Sequence, residues 1–334
     1  MYSWILLTAF AAITKAAVVP VPETVTVEAV TVPAVEKVPV VAAADVNVSE
    51  LSTQAASVVT TLSSSQLASF APFTQFARAA YCPSNEIASW NCGEACRANS
   101  GFQPTLTGGD GNDVQLFFVG YWPSQNSVVV AHQGTDPTQF LSVLTDASIL
   151  QRNLDPGLFP GVPSSVFIHG GFADAHAETA PAILAETKRL IATKGATSVT
   201  LIGHSLGGAI AELDALFMKL NLPSNIHVKA VTYGTPRVGN AAWPAYFDAQ
   251  VPDFTRVNNE KDPIPIVPGR GLGFAHPHGE VHIVSPGKAV ACSPDDNATD
   301  AQCTISTVPN IFLSNILDHL GPYEGINIGT IFCN

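Results

Sequence analysis

Short apolar runs alternate with longer segments whose apolar residues recur at helical spacing, from about residue 63 to the end of the chain. The short runs predict strands and the longer segments predict helices. Strands are predicted at Val114–Tyr121, Ser127–Ala131, Ser165–Ile168, Ser198–Ile202, His227–Tyr233, Asp253–Asn258 and Val281–Val284. Helices are predicted at residues 63–80, Ala173–Ala192, Ala209–Leu216, Ala241–Ala249 and Phe312–His319. This alternation predicts an α/β fold with a mainly parallel central sheet and helices on both faces.

The first fifty residues differ in pattern from the rest of the chain. Residues 1–16 contain an apolar core that is too short to span a bilayer and precedes a small-residue cleavage pattern. We expect this segment to be a secretory signal peptide. Residues 17–50 are rich in Val, Pro, Ala and Thr without a helical period, which indicates either a pro-segment or a disordered linker. Residues 51–334 are expected to form the folded catalytic domain.

The composition favours a secreted protein and excludes one class of partner. The 334 residues carry 15 Lys and Arg against 27 Asp and Glu, a net charge of -12. Because phosphate binding needs concentrated basic residues, nucleic acid is excluded as a partner. Six cysteines suggest three disulfides in an oxidising compartment, although their pairing stays open. Asn47 and Asn297 begin sequons and are glycosylation candidates.

The segment Gly203–Gly208 reads Gly-His-Ser-Leu-Gly-Gly and lies between a predicted strand and a predicted helix. A strand, a G-x-S-x-G turn and a helix in this order form the nucleophile elbow of an α/β-hydrolase. Glycines on both sides let the backbone turn sharply beside the serine. Ser205 is therefore the candidate nucleophile, and the N–H of Leu206 is one candidate donor of the oxyanion hole. The alternative is a Gly-rich helix start with a capping serine.

A nucleophilic serine needs a histidine base, and the base needs an acid that fixes its tautomer. In this fold the acid and then the base follow the serine in the chain. Asp262 is the best placed acid, because its loop follows the predicted strand Asp253–Asn258 and ligands bind at the carboxyl edge of such sheets. Glu260 is its rival within the loop, and a turn-capping role for Asp262 is the alternative.

Four histidines lie far enough beyond the serine to act as its base: His276, His278, His282 and His319. His276 and His278 lie in a Gly/Pro-rich loop, His282 lies inside a predicted strand, and His319 lies near the end of the chain. A late loop can return over the edge of the sheet. The local pattern favours His319 only slightly over His278.

The chain resembles the filamentous-fungal class 3 lipases and their feruloyl esterase relatives. The segments that carry the resemblance are His132–Thr135, Val166–Phe172, Gly203–Gly208, Val257–Pro263 and Asp318–Tyr323. They occur in the family's order over roughly residues 60–334. The resemblance implies the α/β-hydrolase fold with a helical lid, and it implies Ser205 as nucleophile, Asp262 as acid and His319 as base.

The same resemblance assigns roles to other residues. It points to Thr135 as the second oxyanion-hole donor beside Leu206, and it makes His169 and His204 structural. The family usually has Arg at the position of Gln133, so the ion pair of that arginine is not carried over. The implied disulfides join Cys82 to Cys333 and Cys92 to Cys96, which leaves Cys292 and Cys303 to each other. No metal or other cofactor is implied, and the lack of a C-x-x-C pair disfavours zinc.

Residues 136–150 place Phe140, Leu141, Val143 and Leu144 on one helical face. One interpretation is an ordinary core helix. The other is an amphipathic lid that covers the serine in water and opens at a lipid surface. In the resembling family the lid occupies this position, and feruloyl esterase relatives carry a more polar segment there. The apolar face therefore favours long-chain acyl esters.

These observations predict a secreted carboxylic ester hydrolase, and first of all a triacylglycerol lipase that works through an acyl-enzyme. Its expected substrate is an acylglycerol or another ester at a lipid–water interface, to which a monomer adsorbs transiently without inserting into the membrane. One alternative is a feruloyl or other carbohydrate-linked esterase on the same fold. Another is a non-catalytic lipid-binding relative, which the intact set of candidate catalytic residues disfavours.

Overall fold

The computed structural model describes residues 59–135, 140, 141, 144, 150–293, 295, 296 and 299–333. The predicted signal peptide, the segment 17–50, Asn47, Val143 and Asn297 lie outside the described residues, so those expectations stay predictions. Within the described part of the chain, no helix combines the length and apolarity that a membrane span requires.

The strands and helices occupy the following ranges. The strands are β1 Thr60–Thr61, β2 Gln103–Gly108, β3 Phe117–Trp122, β4 Ser127–His132, β5 Gln151–Asn153, β6 Phe167–His169, β7 Ser198–His204, β8 His227–Tyr233, β9 Gly239–Asn240, β10 Asp253–Asn259, β11 Phe274–Ala275, β12 Glu280–Ser285 and β13 Lys288–Cys292. The α-helices are α1 Ser64–Ala68, α2 Ala71–Ala79, α3 Ser84–Ala88, α4 Gly93–Ala98, α5 Gly170–Lys194, α6 Leu206–Asn221, α7 Ala242–Gln250 and α8 Thr304–Thr307.

Nine of the described strands form one sheet in the order β1-β13-β12-β10-β8-β7-β4-β3-β2. The central strands β4, β7, β8, β10 and β12 run parallel to one another. The outer pairs β1–β13, β12–β13, β2–β3 and β3–β4 are antiparallel, so the sheet is mixed. Strands β5, β6, β9 and β11 form a small separate sheet. The strand expected at Ser165–Ile168 corresponds to β6, and it lies in this sheet and not in the central one; β5, β9 and β11 are not predicted.

The apolar residues of the central strands divide between two cores, one on each face of the sheet. In β4, Val128 and Val130 pack into one core, whereas Val129 and Ala131 pack into the other. Successive side chains of a strand point to opposite faces, so a strand covered on both sides reads as a continuous apolar run. Helices α5 and α6 contribute to the first core and α2 to the second. The predicted covering of both faces by helices is confirmed.

Several predicted elements have different bounds in the structure. The single helix expected at 63–80 is divided into α1 and α2, because Pro72 has no N–H to donate and is tolerated only in the first turn of a helix. Strands β2 and β13 are not predicted. The short helix expected at Phe312–His319 consists of two 3₁₀ turns, Ile311–Leu313 and Ile316–Leu320.

Three disulfides join the pairs that the family resemblance implies: Cys82–Cys333, Cys92–Cys96 and Cys292–Cys303. The first spans 251 residues of sequence. It ties the chain just after α2 to the C-terminal segment, which also carries His319.

Candidate active site

Ser205 forms the sharp turn between β7 and α6. Its backbone has φ 61° and ψ −129°, a conformation that costs a non-glycine residue energy. The Ser205 N–H donates a 2.9 Å hydrogen bond to the carbonyl of Tyr233, at the end of the neighbouring strand β8. A Cβ on Gly203 would collide with the backbone of Gly207, so the turn requires glycine there. The turn therefore has the geometry expected of a nucleophile elbow.

The loop after β4 comes into direct contact with this turn. A Cβ placed on Gly134 would lie 2.5 Å from the carbonyl oxygen of His204 and 2.7 Å from Cβ of Ser205. Such distances exclude any side chain at 134, and they place the Gly134–Thr135 backbone against the candidate nucleophile. Thr135 is half-buried and precedes residues that are not described. Leu206 is the first residue of α6, where an N–H has no acceptor within the helix.

Asp262 and His319 are paired at the same edge of the sheet. His319 Nδ1 lies 2.8 Å from Asp262 Oδ2, and both side chains are buried. The other carboxylate oxygen, Oδ1, accepts a 2.8 Å hydrogen bond from the N–H of Ile264. Gly234 lies beneath the pair, since a Cβ there would be 2.7 Å from each of the two bonded atoms. The carboxylate therefore has a fixed orientation and selects the His319 tautomer with hydrogen on Nδ1.

The structure leaves one polar atom of Ser205 and one of His319 without a partner. Ser205 Oγ and His319 Nε2 are both buried, and neither forms a hydrogen bond with any described residue. A serine hydroxyl and a histidine ring nitrogen without partners among the described residues are available to each other and to a substrate. Hydrogen bonds between catalytic groups are often long in the free enzyme and shorten when substrate binds.

The other candidate histidine bases form hydrogen bonds away from Asp262. His276 Nε2 hydrogen-bonds to the Pro265 carbonyl at 2.8 Å. His278 is paired with Asp248, with Nδ1 2.6 Å from Oδ1. His282 has backbone carbonyls at both ring nitrogens. The carboxylate of Glu260 has no described contact with His319. Among the described residues, the structure thus brings His319 to Asp262 and places the other three histidines elsewhere.

Three described residues of the segment predicted as lid or core helix belong to the first core or pack against it. Phe140 and Leu144 are buried, Leu141 is half-buried, and Val143 is outside the described residues. The Phe140 ring lies 6.1 Å from that of Phe172, between ring centroids. Ser205 and His319 are each 0% exposed, so the candidate site is covered in this structure.

One cluster of potential metal ligands occurs among the described residues, formed by Glu280, Cys292 and Cys303. Its two cysteines are joined to each other in a disulfide, so they present no thiolate to a metal. This cluster does not fit a metal site.

The sequence reasoning missed the aromatic residues that surround the site. Tyr81 Oη lies 2.6 Å from His204 Nδ1, and the Tyr323 hydroxyl donates a 3.1 Å hydrogen bond to the His319 carbonyl. The family resemblance gives His204 only a structural role, and the structure shows its side chain in contact with the candidate base, with ring centroids 4.3 Å apart. No local pattern marks Tyr81, because its contact with His204 spans 123 residues.

Comparison with known proteins identifies lipases as relatives of this chain. The family model described as Lipase (class 3) matches residues 129–272. The secreted mono- and diacylglycerol lipase LIP1 of Malassezia globosa is 30% identical over 226 residues, which cover 67% of this chain and 72% of that protein. The related lipase MDL2 of the same organism is 33% identical over 178 residues, covering 53% of this chain and 58% of the relative.

Solved structures agree with this result. The Rhizomucor miehei lipase–propeptide complex has a TM-score of 0.70 at 25% identity, covering 83% of this chain and 85% of that one. A triacylglycerol lipase whose catalytic centre is described as a serine protease triad has a TM-score of 0.69 at 26% identity, covering 83% and 100% of the two chains. The α/β-hydrolase fold predicted from the sequence is confirmed, and the chain belongs to the class 3 lipase family.

Proposed function

We propose that the protein is a secreted serine lipase that hydrolyses the ester bonds of acylglycerols. The observation that carries this proposal is the buried Asp262–His319 pair at the sheet edge that also holds the strained Ser205, whose Oγ has no hydrogen-bond partner among the described residues. Such a set suits acyl transfer, because it can supply a nucleophile, its base and the group that orients the base. Membership of the class 3 lipases supports ester substrates over other acyl compounds.

In the proposed reaction, His319 Nε2 removes the proton of the Ser205 hydroxyl while Oγ attacks the ester carbonyl. Asp262 stabilises the imidazolium that forms. The N–H groups of Leu206 and Thr135 stabilise the negative oxygen of the tetrahedral intermediate. His319 then returns the proton to the departing alcohol, which leaves an acyl-enzyme on Ser205. Water repeats the sequence with His319 as base, and it releases the fatty acid and restores the serine.

The covered site supports the proposal that residues 136–150 act as a lid. Phe140 and Leu144 bury their side chains in the core cluster that also contains Phe172. An opening of this segment would expose Ser205 to substrate and would uncover apolar side chains at the same time. Such a movement is favourable at a lipid surface and costly in water, because apolar area is then transferred out of an apolar environment.

A second apolar surface supports adsorption to lipid. We define the apolar rim as Ile311, Phe312, Leu313 and Leu317, on the two 3₁₀ turns that lead to His319. Phe312 is 90%, Leu317 67% and Leu313 58% exposed. Asn310 caps the first turn and Asn315 the second, through side-chain oxygens that accept the N–H groups of Phe312 and Leu317. These apolar side chains are thus presented on a hydrogen-bonded framework.

The charge around the rim indicates what it contacts. No charged residue occurs between Thr304 and Leu317, and the protein as a whole is acidic. The next charged residue along the chain is the acidic Asp318, in the same turn as Leu317. An apolar surface without basic residues in this stretch fits a neutral acylglycerol surface better than an anionic membrane, to which adsorption relies on basic residues. We therefore propose that the rim adsorbs to the substrate interface without spanning it.

Secretion is part of the proposal. Disulfides persist in oxidising compartments, and three are present among the described residues. LIP1 and MDL2 of Malassezia globosa are secreted lipases by name.

The decisive experiment is substrate profiling of the wild-type protein beside Ser205→Ala. We expect hydrolysis of emulsified long-chain mono-, di- or triacylglycerols by the wild type, and covalent labelling of Ser205 by an organophosphonate. Ser205→Ala should lose both while keeping the wild-type melting temperature. Turnover of methyl ferulate with none of the acylglycerols would replace the proposal by the feruloyl esterase alternative. Failure of the folded wild type to react with the phosphonate in the presence of emulsified lipid, where the lid is expected to open, would indicate a non-catalytic protein.

A further inference from the structure

A chain of buried hydrogen bonds connects Tyr81 to the backbone of His319 through His204. Tyr81 Oη lies 2.6 Å from His204 Nδ1. The other ring nitrogen, Nε2, lies 2.7 Å from the His319 carbonyl oxygen. All three side chains are buried, so water does not compete for these contacts. Tyr81 comes from the segment after α2, His204 from the elbow, and His319 from the C-terminal turn.

The chemistry of the partners determines which nitrogen of His204 carries hydrogen. A backbone carbonyl can only accept, so His204 Nε2 must donate. Burial and the proximity of His319 hold the pKa of His204 well below its usual range, so the ring stays neutral. Nδ1 is then an acceptor, and the Tyr81 hydroxyl donates to it. The tyrosine thus stabilises the one tautomer that lets His204 donate to the His319 carbonyl.

The Tyr81 hydroxyl also contacts the loop that carries the candidate oxyanion hole. A Cβ placed on Gly134 would lie 2.4 Å from the Tyr81 hydroxyl oxygen, so the backbone of this loop packs directly against the tyrosine. One hydroxyl group therefore contacts both the Gly134–Thr135 loop and, through His204, the turn that holds the candidate base.

We propose that Tyr81 and His204 are positioning residues, which hold the oxyanion loop and the His319 turn in a fixed relation on either side of Ser205. This inference rests on the function proposed above and extends it to residues that do not touch the substrate. The Tyr323 hydroxyl, which donates to the same His319 carbonyl, restrains the turn from another side but has no described contact with Gly134.

The neutrality of His204 has an electrostatic consequence for the reaction. The rings of His204 and His319 lie 4.3 Å apart between centroids, with planes inclined at 32°. His319 becomes positively charged when it takes the proton of Ser205. A charged neighbour at this distance would oppose that step, whereas a neutral ring does not.

The test uses Tyr81→Phe, which removes one hydroxyl group and keeps the ring. Hydrolysis of a soluble ester such as p-nitrophenyl butyrate avoids any contribution from lipid adsorption. We expect kcat to fall about tenfold with little change in KM, because only the alignment of the reacting groups is disturbed. The rate of Ser205 phosphonylation should fall by a similar factor. A purely structural role would change the melting temperature and leave both rates near their wild-type values.

Two further variants sharpen the test. Tyr121→Phe deletes a tyrosine hydroxyl that donates to Asn126 Oδ1 at 2.8 Å, and it should leave kcat unchanged. In a double-mutant cycle, Tyr81→Phe should have little additional effect on top of His204→Phe, because both interrupt one chain. Unchanged kcat and labelling in Tyr81→Phe, or additive losses in the cycle, would overturn the inference. If the wild type itself were not labelled at Ser205, the proposed function would fail instead.

Discussion

Asp262 and His319 are 57 residues apart in the sequence, and 2.8 Å separates Oδ2 of the first from Nδ1 of the second. Hydrogen bonds between their neighbours hold the two segments together. The Lys261 N–H donates to Asp318 Oδ2 at 3.0 Å, and the Asn315 N–H donates to the Lys261 carbonyl at 2.8 Å. Residues that precede each member of the pair are thus joined to one another, once between backbone groups and once through the Asp318 carboxylate, so the pair does not depend on its own two side chains alone.

Replacement of Asp262 by Asn tests the proposed acid. The amide NH₂ group can face His319 Nδ1 only if that nitrogen gives up its hydrogen, so the imidazole adopts the tautomer that cannot act as a base at Nε2. We expect kcat for a soluble ester to fall by about 10⁴-fold with an almost unchanged KM. Steady-state kinetics measure kcat and KM, and a thermal melt of the same preparation shows whether the variant is folded.

Asp318→Asn is the matched control for that prediction. Asp318 is the neighbour of His319 in sequence, and its described side-chain contacts are with the Lys261 N–H and the Asn315 amide. Asp318→Asn should cost little activity, because the amide keeps an oxygen that can accept the Lys261 N–H and the substitution removes a nearby negative charge without touching the imidazole. Equal losses in the two variants would mean that Asp262 acts through general electrostatics, which contradicts its assignment as the orienting acid.

Gly134→Ala tests the close approach of the oxyanion loop to the nucleophile. The added Cβ would meet the His204 carbonyl oxygen and Cβ of Ser205 at 2.5 and 2.7 Å, and neither can move without shifting the elbow. A displacement of about 1 Å in a catalytic group costs roughly 100-fold in rate, so we expect kcat to fall by that order. Gly101→Ala, where the new Cβ meets nothing within 4 Å, should retain activity. Wild-type activity of the Gly134→Ala protein would contradict the proposal that this loop forms part of the active site.

Phe312→Glu tests the proposed role of the apolar rim. A carboxylate at the most exposed of its residues should weaken adsorption to a neutral lipid surface, because a charge would have to leave water. Activity on emulsified triacylglycerol should fall several-fold, while turnover of a soluble ester stays at the wild-type level. Ile331→Glu changes a similarly exposed residue, beside the Cys82–Cys333 disulfide, and serves as control. Equal losses of emulsion activity in both variants would argue against a specific rim.

Sequence reasoning predicts the parts of this molecule that depend on neighbours along the chain. The elbow at Ser205 is local, because a strand, a turn with glycines and a helix are contiguous there. The sheet edge on which Asp262 lies follows from the strand before it. The pairing with His319 does not follow from any pattern, since His278 fits the local criteria almost as well, and only the family resemblance favours one over the other.

Local sequence patterns do not predict three other features, because these depend on packing between distant segments or on the exact position of one residue. The division of the expected helix at 63–80 depends on Pro72, whose position in the first turn of α2 is compatible with the apolar spacing on both sides. The contact of Tyr81 with His204 is formed by packing between distant segments, and a tyrosine just after a predicted helix looks in sequence like any other core residue. The sequence does not predict the exposure of Phe312 either, because an apolar residue in a helical pattern is expected to be buried.

The three disulfides differ in the length of chain that they close, and this predicts their contributions to stability. Cys82–Cys333 spans 251 residues and Cys92–Cys96 spans 4. In the chain-entropy model, removal of the long bridge costs about 5 kcal/mol of unfolding free energy and removal of the short one about 2 kcal/mol. Urea unfolding of the Cys82→Ala/Cys333→Ala and Cys92→Ala/Cys96→Ala proteins measures the difference. A larger loss from the short bridge would show that native-state contacts outweigh chain entropy here.

The buried carboxyl of Glu212 makes the stability of the protein depend on pH. This carboxyl is completely buried in α6 and accepts a 2.5 Å hydrogen bond from Trp243 Nε1, while the other oxygen has no partner among the described residues. Burial raises the pKa of Glu212 from 4.5 to about 8. Below pH 4.5 both the folded and unfolded states are protonated. Between these two values only the folded state holds the proton, so this group lowers the unfolding free energy as pH rises, by about 1.4 kcal/mol per pH unit.

Glu212→Gln should remove this dependence, because the amide keeps an oxygen for Trp243 and does not titrate. Other buried groups titrate in the same range, such as His169, whose pKa burial lowers to about 4, and Glu324, whose pKa burial raises to about 7. The measurement is therefore the difference in urea unfolding free energy between variant and wild type from pH 5 to 8. It should shift steadily in favour of the variant as pH rises. A flat difference for Glu212→Gln would mean that the carboxyl is not held protonated in the folded protein.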